Sequence, residues 1–196
     1  MIKTYKRERV DIMVDLETLG LTRDTPIIQF TAVAFDIITG EILDEFFHYN
    51  VQMQKTQPIN PETLIWWLET DKDLLYQILK KGERGLSEKT VLDLFITWIA
   101  EFNMSPQKVY LWGNGILFDN KFIQQKMEDY GLKYPIYYRN DRDVRTLVDL
   151  YITKNGGTYE QLKADNPDGL VEHDSHDDCV AQIYMVSKCF NDFISK

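Results

Sequence analysis

Val10-Asp11-Ile12-Met13-Val14 is a short, mostly apolar run that continues directly into Asp15-Leu16-Glu17-Thr18. Its composition reads as a buried strand, and alternate strand residues point to one face, so Asp15 and Glu17 project together while Leu16 points away. Two anions side by side at the end of a buried strand push each other's protonation up unless a cation compensates. This segment therefore demands either a solvated strand end or a metal site.

The rest of the chain supplies an ordinary core for such a strand. Of 196 residues 44% are hydrophobic, and 11 Tyr, 10 Phe and 4 Trp give enough apolar area to exclude intrinsic disorder. Without repeats, low-complexity segments or a long linker, residues 1–196 read as a single domain. No window approaches the roughly 18 apolar residues of a membrane span, and the basic start lacks the apolar segment of a secretory signal. A cytoplasmic protein is expected, in the host cytoplasm if the chain is phage-encoded. Cys179 and Cys189 do not have zinc-site spacing and are expected as reduced thiols.

Element types follow from periodicity. Pro26 to Phe35 and Glu41 to Tyr49 read as two further strands, antiparallel to the first through short turns. Asn60-Pro61-Glu62 opens a helix containing Ile65, Trp66 and Trp67; Asp71 to Lys81 and the segment from Ser87 follow as helices. Val109 to Trp112 reads as a buried strand, then Phe118 to Tyr130, Arg142 to Tyr151 and Asp174 to Phe193 as helices. The order suggests an α/β fold with a mixed sheet.

The net charge of −9 argues against simple electrostatic binding of nucleic acid. Divalent cations held by grouped carboxylates would reverse that sign locally, where a phosphate would sit. Asp119 begins a helix after a strand and a glycine turn, as an N-cap or as a second site acid. Glu172 to Asp178 packs four acids and two His into seven residues. Cys179, Ile183, Val186 and Phe190 form an apolar stripe behind it, which turns Asp178 towards the core. With His173 in the preceding loop, the two side chains converge, and His is the side chain suited to accept a proton near neutral pH. His176 competes for that role, and its spacing from Asp178 turns it elsewhere; His48 reads as an ordinary packed histidine. Four carboxylates and one His suit a two-metal hydrolysis of a phosphodiester with Mg²⁺ or Mn²⁺.

These motifs resemble the DEDD superfamily of 3′-to-5′ exonucleases, histidine subgroup: Asp15-Leu16-Glu17, Phe118-Asp119, and His173 to Asp178, with Ser175 where Ala is common. A narrower likeness, to exonuclease A of T-even phages and relatives that include a mycobacterial exoribonuclease, rests on Glu17-Thr18-Leu19-Gly20, Ile65-Trp66-Trp67, Gly115, Arg142-Asp143-Val144-Arg145-Thr146 and His173-Asp174-Ser175. The resemblance implies a ribonuclease-H-like fold with a mixed five-stranded sheet and two Mg²⁺ or Mn²⁺ ions. Asp15 would bridge both ions, Glu17 and Asp178 would hold the one carrying the attacking water, Asp119 would position the other, and His173 would be the base. Single-stranded DNA or RNA 3′ ends are the implied partners, DNA slightly favoured, with a homodimer as an alternative to a monomer. Thr18 and Leu19 would meet the terminal nucleotide, Trp66 or Trp67 would stack on a base with at least one of the two in the core, and Arg142 and Arg145 would hold phosphate or pair with Asp141, Asp143 or Asp149. A non-catalytic binding module of the same fold is the competing class, and it would normally have lost one motif residue.

Overall fold

A computed structural model describes residues 8–43 and 47–195. Strands β1 (Val10–Thr18), β2 (Ile27–Phe35) and β3 (Phe47–Gln52) come first. Helices α1 (Pro61–Thr70) and α2 (Lys72–Gly82), the two-residue strand β4 (Leu86–Ser87) and helix α3 (Glu88–Glu101) follow. Then come β5 (Val109–Gly113), α4 (Asp119–Asp129), β6 (Asp141–Asp143), α5 (Val144–Asn155), α6 (Tyr159–Lys163) and α7 (Ser175–Ile194).

The strands form one mixed sheet in the order β4-β3-β2-β1-β5-β6. β1 pairs antiparallel with β2 and parallel with β5, and β2 pairs antiparallel with β3. The α/β class is as expected, with six strands among the described residues rather than five. The two strands that no sequence pattern marks, β4 and β6, are edge pieces of two and three residues, too short to carry a period. Of the expected third strand, Phe47–Gln52 is strand among the described residues and Ile42 makes an isolated bridge to Phe35, while residues 44–46 lie outside the described residues.

Alternation along β1 divides the core. Val10, Ile12, Val14 and Leu16 face one side and pack with Phe30, Phe95 and Phe122 beneath α3 and α4. Met13 faces the other, with Val33, Trp112, Cys179, Ile183 and Val186 beneath α5 and α7. Every residue of β2 is buried, as expected for a strand covered on both faces. A third cluster of Leu19, Ile28, Trp67, Leu75 and Ile78 seats α1 and α2 at the end of the sheet. Cys179 and Cys189 are both free and buried, and among the described residues no helix is long and apolar enough to cross a membrane.

On the α7 side the sheet turns polar where β1 ends. Asp15 lies opposite Thr31, which lies opposite His48; Glu17 lies opposite Gln29, which lies opposite Asn50. These rows anchor the start of α7. The Ser175 N–H donates to Gln29 Oε1 at 2.9 Å, and the Ser175 and Thr31 hydroxyls are 2.6 Å apart, with Thr31 Oγ1 in turn 2.7 Å from His48 Nδ1. The segment bearing His173 and Asp178 is thus tied to the strand bearing Asp15 and Glu17.

Candidate active site

Four acids and a histidine from separated parts of the chain line one cleft of about 380 Å³: Asp15, Glu17, Asp119, His173 and Asp178. Asp15 and Glu17 leave the same face of β1, half-buried and 8% exposed respectively. Asp119 is the first residue of α4, so it is not the N-cap; Phe118 holds that position and makes no side-chain cap bond. Its approach to the sheet depends on Gly113 at the end of β5. A Cβ there would lie 2.3 Å from Asn120 Oδ1 and 3.1 Å from Asp119 Cβ, so any side chain would push α4 away.

His173 sits just before α7 with φ of +66°, a left-handed conformation that costs a non-glycine residue energy. A local bond secures it: the His173 backbone N–H donates to Asp178 Oδ2 at 3.1 Å, while Asp174 caps the helix through the His176 N–H. One ligand atom each of Glu17, His173 and Asp178 fall within 4.8 Å of one another. The imidazole also stands edge-on to Trp66, with ring centres 4.9 Å apart.

The electrostatics are those of an under-compensated anionic cluster. Burial, then the charges of Asp119 and Asp178, holds the Asp15 carboxyl well above its usual range, against a hydrogen bond from Gln182. Glu17 is raised in the same way by burial and then by Asp15. Burial lifts Asp119 to about 7, although backbone donors and Arg145 pull it down, and lifts Asp178 to about 6 against the His173 N–H. Carboxylate oxygens gathered at this cost match the donor set of a hard divalent cation, so Asp15, Glu17, Asp119 and Asp178 are the residues that could hold one.

Comparison with known proteins decides what this arrangement belongs to. The model of the 3′-5′ exoribonuclease Rv2179c-like domain matches residues 10–190. The chain belongs to this family of 3′-5′ exonucleases. A phage T4 exodeoxyribonuclease is 23% identical over 199 residues, covering 90% of this chain and 87% of that protein. Solved structures with the same fold include cell-death related nuclease 4 (TM-score 0.72, 15% identity, 93% of this chain) and the nuclease domain of 3′hExo, a DEDDh family member bound to rAMP (TM-score 0.63, 18% identity, 95% of this chain and 94% of that one). E. coli exonuclease I in complex with a dT13 oligonucleotide also superposes (TM-score 0.66, 16% identity, 92% of this chain). The chain spans 64% of cell-death related nuclease 4 and 40% of exonuclease I. These neighbours place the α/β sheet of the exonuclease in the ribonuclease-H-like class.

The structure separates the remaining candidates. His176 bonds Asp177 Oδ1 at 2.8 Å, Asp177 also accepts the Val171 N–H, and neither lines the cleft. Trp66 is 43% exposed and borders both the cleft and an adjoining cavity of about 390 Å³, whereas Trp67 is in the core and donates through Nε1 to the Thr18 carbonyl. Thr18 lines that cavity, but its hydroxyl donates internally to the Gly20 carbonyl. Leu19 departs from expectation: its side chain is 1% exposed in the cluster with Trp67, because the chain turns inward after β1, and Leu21 and Phe118 line the cavity instead. Arg145 lines the cleft and reaches Asn114 Oδ1 at 3.4 Å. Arg142 does not line it. The β6 pairing turns it onto the Tyr110 ring, where it donates to the Arg139 and Asp141 carbonyls. Sequence reasoning missed Gln182, which donates to Asp15 at 2.9 Å; its signal was a polar residue four positions after Asp178, beside the apolar stripe.

Proposed function

We propose that the exonuclease removes 5′-mononucleotides from single-stranded 3′ ends, using Asp15, Glu17, Asp119 and Asp178 to hold two Mg²⁺ or Mn²⁺ ions and His173 as the general base. The convergence of these five side chains on one cleft carries the reading. Divalent ions bound there supply charge to neutralise the phosphate and make water a better nucleophile. The residues of the chain do the rest. His173, held by its backbone bond to Asp178, takes the proton of the water that attacks the terminal phosphodiester. The water oxygen bonds to phosphorus, the bond from phosphorus to the 3′ oxygen of the penultimate nucleotide breaks, and that oxygen takes a proton from solvent, leaving a 5′-mononucleotide and a shortened strand with a 3′ hydroxyl. Trp66 offers a ring for stacking the terminal base, and the Arg145 guanidinium faces the phosphate path.

DNA is the preferred substrate in this reading, supported by the phage exodeoxyribonuclease relative. RNA is the second reading, supported by the exoribonuclease description of the family. The test is cleavage of matched 5′-labelled single-stranded DNA and RNA with Mn²⁺, Mg²⁺ or EDTA. A metal-dependent ladder shortening from the 3′ end is expected, absent in Asp15→Ala and Asp178→Ala, with the faster polymer identifying the substrate. Cleavage by either purified variant at the wild-type rate overturns the assignment.

A further inference from the structure

Gln182 lies one turn beyond Asp178 on α7, so both side chains leave the same face of the helix. Next to it Ile183 and Val186 are buried core, and Gln182 itself is 4% exposed. The two ends of its amide have different surroundings. Nε2 donates to Asp15 Oδ1 at 2.9 Å, whereas Oε1 has no hydrogen-bond partner, in a residue that lines the cleft beside Asp15 and Asp178. This setting of the amide is the one that an ionised Asp15 requires, because reversing it would bring two acceptors face to face once a cation has drawn the proton from the carboxyl.

A buried acceptor without a partner is uncommon in a native fold and marks a place where a donor is missing. We propose that Gln182 is a positioning residue of the carboxylate centre. Its amide nitrogen occupies one oxygen of Asp15 and presents the other to a divalent cation, and its free carbonyl oxygen receives a donor that enters the cleft with the cation. The inference rests on the exonuclease reading of the same cluster. It assigns Gln182 no contact with the scissile phosphate, so its effect passes through Asp15. Asp178 and Gln182 together then make α7 the element that registers both sides of the centre: one side chain as an acid of the cluster, the other as the clamp on the acid from β1.

The experiment is a titration of the metal-free 196-residue chain with Mn²⁺, following free Mn²⁺ by electron paramagnetic resonance, for wild type, Gln182→Leu and Gln182→Met. Steady-state cleavage of a 5′-labelled oligonucleotide is measured in parallel at saturating Mn²⁺. Met preserves the volume and length of the side chain if Leu does not fold. Folded variants should bind Mn²⁺ about 10–100-fold more weakly, the range found when a partner of a metal ligand is removed. Their kcat should fall while KM for the oligonucleotide stays within about twofold of wild type. A folded variant that binds Mn²⁺ as wild type does overturns the inference, as does a change confined to KM, which would make Gln182 a substrate contact. A wild-type chain that neither binds Mn²⁺ nor cleaves overturns the exonuclease reading itself.

Discussion

Asp119 is the residue on which the cost of gathering these carboxylates can be measured. It is 4% exposed, and burial lifts its carboxyl from 3.8 to about 7. Between those two values the folded protein keeps a proton that the unfolded chain has released. Folding is therefore favoured below pH 3.8, and the advantage is lost as the pH rises through 7. At about 1.4 kcal/mol for each tenfold change in acidity, Asp119 alone removes roughly 4 kcal/mol from the metal-free protein by pH 8, about 3 kcal/mol of it above pH 5. Asp119→Asn cannot ionise, yet keeps an oxygen for the backbone donors. Asp15 and Glu17 both feel the charge of Asp119, so its removal eases them in the same direction. The assay is urea unfolding in EDTA at pH 5 and pH 8. Wild type should lose about 3 kcal/mol more than Asp119→Asn between the two, and Mn²⁺ should shrink that difference while activity is lost in the variant. Equal pH dependence of wild type and variant would refute the reasoning.

Three other outcomes are expected. Gly113→Ala should lower kcat severely while the protein stays folded by circular dichroism, because the methyl group meets Asn120 Oδ1 and displaces Asp119. Glu88→Ala should destabilise the fold by about 3–5 kcal/mol in thermal or urea unfolding: Glu88 is 1% exposed, pairs with buried Lys126 at 3.0 Å and accepts from Ile27 N, Gln57 and Tyr130, and its loss strands the lysine charge. Trp66→Ala should raise KM for single-stranded substrate by the equivalent of roughly 1–3 kcal/mol with little change in melting temperature, whereas Trp67→Ala should unfold at markedly lower temperature, since one ring is half exposed and the other is core.

Residues whose role is set by local pattern were legible in the sequence. Asn60 caps α1 through the Thr63 N–H, and Ser87 caps α3 through Thr90, where cap signals pointed. Asp15, Glu17 and Asp178 face the cleft as strand alternation and the α7 stripe require. What failed depends on direction after an element ends. A strand pattern does not say which way the chain turns once pairing stops, so Leu19 entered the core, while Arg142, expected at the start of a helix, pairs within β6 and is turned onto the Tyr110 ring. β6 reads Asp-Arg-Asp, with no apolar residue to mark it, and is a strand only because β5 offers its edge. Helix α6 did carry a signal: Thr158 and Gln161 form a capping box, visible as Thr-x-x-Gln, but the helix it opens is only five residues long. Gln182 shows the same limit from the other side, since its spacing from Asp178 was readable and its partner, 167 positions earlier, was not.

The dependence on α7 has a consequence for the timing of synthesis. His173 and Asp178 come after every strand of the sheet, and the same helix supplies Cys179, Ile183, Val186 and Cys189 to the layer that covers Met13, Val33 and Trp112. Until α7 has left the ribosome, that layer has only the side chains of α5 and α6 over it, and two of the five acid and histidine side chains of the cleft are missing. A nascent chain without α7 therefore exposes apolar sheet surface and carries an incomplete cleft. The packing event that closes this layer of the core is thus the same one that completes the cleft.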